Sequence, residues 1–239
     1  MTTIQPSAYR IRSPVYRRLE AAGAVFAAVG EAVVAANFGD RAGETRTART
    51  LGVVDLSCLP RIGFKGRGAV EWLTAQHVGM PDTPNRAAPQ ADGARAVRLS
   101  ASEVLILPDR AGRSGLAADL EGAWQRETLQ PRGYLLMRAD THAWFCVTGT
   151  AAPAFFAKLC AVDLRADRFG RNAVAQTILA QVGAIIVRGD VGPAPAFDVL
   201  ADWAAADYLL PVLIDAMAEF GGRLIGLDAL AALVADGGT

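Results

Sequence analysis

Apolar residues recur along this chain with two periods, two and roughly three and a half, that take turns in a fixed order. Over residues 51–76, LGVVDLSCLPRIGFKGRGAVEWLTAQ, the run Gly52–Asp55 reads as a strand, and Pro60 blocks a helix from continuing out of it. Ile62 and Phe64 then alternate with Gly63 and Lys65, the period of a half-buried strand. Gly66 and Gly68 permit a tight corner, after which Ala69, Trp72 and Leu73 fall on one helical face. Upstream, Ser13 as N-cap and Pro14 in the first turn predict a short helix over 15–22, ended by Gly23. Two apolar runs between Ala24 and Phe38 flank Gly30-Glu31, which allows a hairpin or one interrupted strand. The polar segment from Phe38 to Thr47 predicts a loop. Downstream, HVGMPDTPNRAAPQADG predicts a long irregular connection with turns at Pro81-Asp82 and Pro84-Asn85. Strands over 94–99 and 103–107 follow. In the second, Leu105 and Leu107 face one way and Val104 and Ile106 the other, which predicts burial on both faces. Leu116, Leu120 and Trp124, four apart, form a helical stripe to cover the sheet.

Past a turn at Pro131-Arg132-Gly133 the pattern begins again. Superposing Gly149 on Gly66 pairs Val147 with Phe64, Phe155 with Trp72 and Phe156 with Leu73. This predicts a strand over 142–147, Thr150 as a helix N-cap, and Pro153 in the first helical turn, where its missing N–H costs little. Asn172 takes the place of Asn85, and strands follow over 175–179, 183–187 and 197–200. Asp202 is expected to cap a helix with Leu209, Leu213, Met217 and Phe220 on its apolar face and Asp207, Pro211, Asp215 and Glu219 on its wet face. Pro211 should bend or restart that helix, and Gly221-Gly222 should end it. A short helix over 227–234 and a fraying end complete the chain. The expectation is an α+β fold of duplicated strand–helix–strand units with mostly antiparallel sheets: an arm at 1–13, a first half at 14–130, and a second half at 131–235. Each half is small, so the two should share one core.

Composition narrows the functional classes. A hydrophobic content of 52% with 20% charged residues describes an ordinary folded protein. Twenty-four basic residues balance twenty-four acidic ones, where a nucleic-acid partner would ask for a basic excess. No window of about eighteen apolar residues suggests a membrane span, and the amino end lacks the apolar core of a signal peptide. Cys58, Cys146 and Cys160 show no CxxC spacing and are odd in number, so a reducing, cytoplasmic setting without a disulfide framework is expected.

Candidate chemistry is sparse. His77 and His142 belong to no HxH or HExxH spacing, so no metal site is expected, and no GxSxG supports a serine nucleophile. GFKGRG at 63–68 is neither a dinucleotide-binding fingerprint nor a P-loop, and its echo at Gly149 marks it as a strand–helix corner. No catalytic residue is assigned. Arg10, Arg12, Arg17 and Arg18 give the amino end a basic bias, either a solvated arm or one that orders against a partner subunit. Trp72, Trp124 and Trp144 keep the phase of core residues. Trp203 lies outside the Leu209 stripe and is a candidate interface anchor with Arg10, Arg12 and Arg17.

Ser13-Pro14-Val15-Tyr16 and LGVVDLSCLPRIGFKGRGAVEWL resemble the opening of the glycine-cleavage aminomethyltransferases. Asp55-Leu56-Ser57, PDTPNRA, RLSASEVLIL, VDLR, AVAQT and the ADYL…DAMAEFGG end resemble more closely the gamma subunits of heterotetrameric sarcosine oxidase, from about Ser13 to Gly226. The resemblance implies a folate-binding-domain fold and a structural subunit of an enzyme that oxidatively demethylates sarcosine to glycine. It implies alpha, beta and delta subunits as partners, with tetrahydrofolate, FAD, FMN and NAD on them and no cofactor on this chain. The aminomethyltransferases carry Gly-Gly-x-x-Asp-Asp-Leu, whose acid handles the folate nitrogen. The corresponding run here is Asp92-Gly93-Ala94-Arg95-Ala96-Val97-Arg98, and neither Ala96 nor Val97 can exchange a proton with an amine. A Ser-His-Met-Gly run becomes Ser57-Cys58-Leu59-Pro60, without its histidine. The alternative is a stand-alone tetrahydrofolate-binding one-carbon protein. A third relative, the folate-binding protein linked to iron–sulfur cluster maintenance, carries a Lys-Gly-Cys run absent here. An ionised carboxylate lining a pteridine-sized cleft between the halves, or turnover by the purified chain alone, would overturn the structural-subunit reading.

Overall fold

The structure, a computed structural model, describes residues 4–127 and 132–236. It opens with a 3-10 turn over Pro6–Ala8, then β1 (Ile11–Arg12), α1 (Tyr16–Ala21), and a hairpin of β2 (Val25–Val29) and β3 (Ala32–Asn37). The hairpin alternative is therefore the one adopted, with β1 added parallel to β3. Ser13 does not cap α1 as expected. Its hydroxyl accepts from the Val15 N–H, a tight local turn, and the helix begins two residues later than an N-cap at Ser13 and N1 at Pro14 would require, with Val15 at the cap.

The loop predicted up to Thr47 is instead a helix, α2 (Arg41–Thr50). Asp40 caps it by accepting from the Gly43 N–H at 2.9 Å. Glu44 is buried, and its two oxygens accept from the N–H groups of Phe38 (2.7 Å) and Gly226 (2.8 Å). A helix held by polar caps, with alanine as its buried apolar contact at Ala48, leaves no hydrophobic stripe to read.

The duplicated region follows: β4 (Gly52–Asp55), β5 (Ile62–Lys65), α3 (Ala69–Ala75), β6 (Arg86–Pro89), β7 (Arg95–Ser100), β8 (Glu103–Leu107) and α4 (Leu116–Arg126). Next come β9 (Tyr134–Leu136), α5 (Arg138–Thr141), β10 (His142–Thr148), α6 (Ala152–Phe156), β11 (Val174–Leu179), β12 (Val182–Arg188) and β13 (Ala196–Asp202). The chain ends with α7 (Ala206–Ala218), β14 (Arg223–Leu224) and α8 (Leu227–Asp236). β6 lies inside the stretch predicted to be irregular. As an edge strand it tolerates Pro89, and its short Arg-Ala-Ala-Pro sequence carries almost no strand signal.

One sheet runs β6-β7-β8-β5-β9 and the other β11-β12-β13-β10-β4-β14. The first five strands of each correspond, with an exchange: β4 pairs antiparallel with β10 of the other half, and β9 pairs antiparallel with β5. The edges meet through a reciprocal pair of hydrogen bonds, Ala87 N–H to Asn172 C=O (2.8 Å) and Val174 N–H to Asn85 C=O (3.1 Å). Asn85 and Asn172 both adopt positive φ, +58° and +63°. Gly66 and Gly149 both turn their corners at positive φ, with facing backbone so close that a Cβ would lie 2.4 and 2.3 Å from it.

Both faces of β8 are buried, as its sequence requires. Leu105 and Leu107 enter the core shared by the two sheets, which also holds Val97, Trp144, Cys146 and Leu200. Val104 and Ile106 face α3 and α4, against Phe64, Trp72 and Trp124. Trp72 and Trp124 meet edge to face at 4.8 Å. Phe155, Phe156 and Phe197 fill the corresponding layer of the second half.

Thr150 is not the N-cap of α6. The Ala152 N–H bonds to the Gly149 carbonyl, Ala151 holds the cap position, and Pro153 lies in the first turn. Asp202 accepts from the Ala204 N–H at 2.8 Å, starting a 3-10 turn over Trp203–Ala205 that leads into α7. Pro211 does not restart α7, which runs unbroken to Ala218 with Pro211 partly exposed. Gly221 at φ +66° closes the helix, with the Gly222 N–H bonded to the Met217 carbonyl. α8 extends to Asp236, past the predicted end at 234.

Candidate functional site

Asp198 lies in the middle of β13, on the face that meets the first half, and has no solvent exposure. Its Oδ1 accepts from Trp144 Nε1 and from Arg110 Nε, both at 2.9 Å. Its Oδ2 accepts from Arg95 Nη2 at 2.5 Å and Arg110 Nη2 at 2.6 Å. Arg95 comes from β7 and Arg110 from the turn after β8, so the carboxylate draws two cations across the seam between the halves. Burial alone would raise this carboxyl. Arg110 and Arg95 outweigh it and hold the pKa down to about 2. Arg110 also donates to the Gly189 carbonyl at 2.7 Å. Arg95 Nη1 is buried with no acceptor among the described residues. It lies against Gly189, where a Cβ would be only 2.4 Å away.

Beside this cluster is a cleft of about 450 Å³. Gly93, Arg95 and Arg110 form one wall, Asp190 and Val191 another, and Leu227, Leu230 and Val234 of α8 the apolar side. A recess of about 290 Å³ shares Gly93, Arg95, Arg110 and Asp190 and adds Arg171 and Asn172. The cleft does have carboxylates on its walls, Asp109 and Asp190, so the seam is not free of acids. Both are engaged. Asp109 accepts from the N–H groups of Ala111, Arg113 and Ser114 and pairs with Arg113. Asp190 pairs with Arg171 at 2.8 Å and Arg188 at 3.0 Å.

The run Asp92–Arg98 supplies no free acid. Ala96 and Val97 are fully buried in the two cores. Asp92 turns into its own loop, accepting from the Ala94 N–H (3.0 Å) and the Ser114 hydroxyl (2.5 Å). A pterin-like ring bearing N–H groups needs an acceptor, and each carboxylate at this seam is already met by arginine, tryptophan, a hydroxyl or backbone donors. The residues present do not fit a tetrahydrofolate held by a carboxylate.

A second buried polar group underlies the turn after β4. Arg61 is almost fully buried and donates to the carbonyls of Ser57 (3.0 Å), Leu59 (2.7 Å) and His142. Burial depresses its pKa to about 10, with Asp55 opposing. Asp55 accepts from the Ser57 N–H at 3.0 Å, and burial raises its carboxyl above the ordinary value against the hydrogen bonds of Ser13 and Ser57. The Cys58 thiol donates to the Val33 carbonyl, and burial, then Asp55, push it up to about 12, which leaves it inert. This group holds backbone carbonyls in place and borders no cleft described above.

His142 opens β10. Burial, then Arg138 and Arg61, lower its pKa to about 4, so it is neutral near pH 7. His77 is exposed at the end of α3 with φ +62°. Among the described residues no group of three His, Cys, Asp or Glu side chains is placed to hold a metal ion, and no helix is long and apolar enough to cross a membrane.

Of the candidate interface residues, Arg10 is exposed. Arg12 pairs its backbone with Val33, donates to the Ser7 carbonyl at 3.1 Å, and lies over the Tyr16 ring at 5.1 Å. Arg17 donates to the Tyr16 hydroxyl at 3.1 Å from the exposed side. Trp203 is half-buried in the turn before α7, and the Arg18 side chain of α1 bonds to Asp207 of α7 at 2.5 Å. The Asp198 cluster was missed from sequence. Its one signal is an acid in the apolar run AFDVLA, and its arginines lie 103 and 88 residues away.

No protein-family model matches the chain, and no curated protein matches it. Solved structures do. Aminomethyltransferase T of the glycine cleavage system from Bartonella henselae matches with a TM-score of 0.74 at 19% identity, over 95% of this chain and 63% of that one. This chain thus spans less than two thirds of that enzyme's length. A heterotetrameric sarcosine oxidase from Corynebacterium sp. U-96 matches with a TM-score of 0.60 at 22% identity, over 77% of this chain and 93% of the matched chain. The fold is therefore aminomethyltransferase-like, α+β with mostly antiparallel sheets.

Proposed function

We propose that this chain is a non-catalytic, gamma-type subunit of a heterotetrameric sarcosine oxidase, supporting oxidative demethylation of sarcosine by alpha, beta and delta partners in the cytoplasm. The observation that carries the reading is Asp198: the buried acid facing the seam is locked by Arg95, Arg110 and Trp144. An acid consumed in this way cannot accept a proton from an amine, and the run Asp92–Arg98 has Ala96 and Val97 where the transferases carry their acid, so the fold is kept without a free group for one-carbon transfer. The match to nearly the whole of one chain of a heterotetrameric sarcosine oxidase supports the partner class. On this reading tetrahydrofolate, FAD, FMN and NAD sit on the partners, and Arg10, Arg12, Arg17 and Trp203 form part of the docking surface.

Co-expression with flavin-dependent oxidase subunits tests this. The chain should co-purify with them, and alone it should transfer no aminomethyl group. Full assembly and oxidase activity without it would overturn the role. Saturable tetrahydrofolate binding by the isolated chain would favour a stand-alone one-carbon protein instead.

A further inference from the structure

The seam cleft is lined by three arginines, Arg95, Arg110 and Arg113, against two aspartates, Asp109 and Asp190, and the adjoining recess adds Arg171. Asp198 behind them adds a third negative charge, and Arg188 and Asp92, each one layer back, offset one another. Cleft and recess taken together keep one positive charge in excess. In the cleft wall the guanidinium of Arg95, a residue more than nine-tenths buried, packs Nη1 against Gly189 with no acceptor among the described residues. A buried donor without an acceptor costs stability unless something else meets it. Leu227, Leu230 and Val234 of α8 give the same cleft a hydrocarbon lining.

We propose that this cleft binds a small amphipathic monocarboxylate, with its carboxylate toward Arg95 and Arg110 and its apolar body against α8. Guanidinium matches a carboxylate in shape and charge. A single excess charge suits a monoanion better than a phosphate dianion. The volume of about 450 Å³ suits a body the size of one or two fused rings. The charge preference is the reverse of one that would receive an amine or a pterin ring, and the inference stands whether or not the chain assembles with an oxidase.

Calorimetry on the full chain with naphthalene-1-carboxylate as the probe tests this, with uncharged naphthalene-1-methanol as the control. The carboxylate should bind at one saturable site with a dissociation constant on the order of 1 mM or below, and the alcohol should bind far more weakly. Val234 and Arg113 are largely exposed, at 59% for Val234 and 81% for the Arg113 side chain, so V234D and R113E should fold normally. V234D places a like charge at the mouth and should weaken the carboxylate roughly tenfold, with R113E acting in the same direction. No saturable binding, equal binding of the alcohol, or affinity unchanged in both variants would each overturn the proposal.

Discussion

Leu105 and Asp198 occupy the same place in the two half-sheets. Leu105 pairs with Gly63 on β5 and Val97 on β7; Asp198 pairs with Cys146 on β10 and Val187 on β12. Around them the backbones agree down to the corner glycines and the left-handed asparagines. The first half fills the position with hydrocarbon, and the second buries an anion that recruits Arg95 and Arg110 from the first. At the register place of Arg95 the second half has Ile185. The polar device is therefore made once, across the seam, and not once per repeat. A duplicated backbone conserves what hydrogen bonding and close packing demand, while a single buried position can change what the seam recognises.

The largest way to break this comparison is to make the halves alike with D198L. It would leave two buried guanidinium groups unpaired, and removing one partner of a buried ion pair costs about 3–5 kcal/mol. Urea unfolding should show a loss of that order. The triple change D198L/R95I/R110M removes all the charges together and should recover most of it. If D198L alone costs less than about 1 kcal/mol, the cluster does not hold the seam.

How much of this was visible beforehand follows from the same contrast. The repeat, the corner glycines and the two-sided burial of β8 were legible because each rests on a local rule: a period, a left-handed turn, a strand buried on both faces. α2 and β6 were not, since one is held by Asp40 and Glu44 and the other is an alanine-rich edge. The exchange of β4 and β9 between sheets was hidden too, because strand periodicity says which face is buried and not which neighbour pairs. The Asp198 cluster depends on contacts between distant segments, so the sequence showed an acid in an apolar run without its partners.

The corners should behave as equals where Leu105 and Asp198 do not. Alanine at Gly66 or Gly149 would be forced to positive φ with its Cβ driven into backbone. Each should cost on the order of 1–3 kcal/mol or more, to a similar degree. Denaturation of G66A and G149A checks this, and a large cost at only one corner would mean that the correspondence fails there.

Titration sharpens the contrast at lower energy. Asp198 has a folded pKa of about 2 against an ordinary 3.8, so its contribution is fully present above pH 3.8 and is lost as pH falls through 2. His142 is depressed from 6.5 to about 4. Between those values the unfolded chain binds the proton and the folded chain does not, so stability falls as pH drops from 6.5 to 4. H142Q should flatten the urea midpoint over that upper window and leave the acid limb below pH 4 unchanged. An unaltered slope between pH 4 and 6.5 would show that His142 is not the group titrating there.

The smallest effect is expected at another ion pair between distant segments. Arg18 of α1 meets Asp207 of α7 at 2.5 Å, as short as the contact between Arg95 and Asp198. Geometry alone would rank the two together. Solvent separates them: the Arg18 and Asp207 side chains are 47% and 68% exposed, those of Arg95 and Asp198 10% and 0%. In water the attraction is screened, and holding two long side chains in one pose offsets much of what remains. D207N should therefore leave the urea midpoint of the isolated chain nearly unchanged in physiological salt, and raising the salt should change it little further. A loss as large as that of D198L would mean that contact length, and not removal from water, decides which cross-chain pairs hold this fold together.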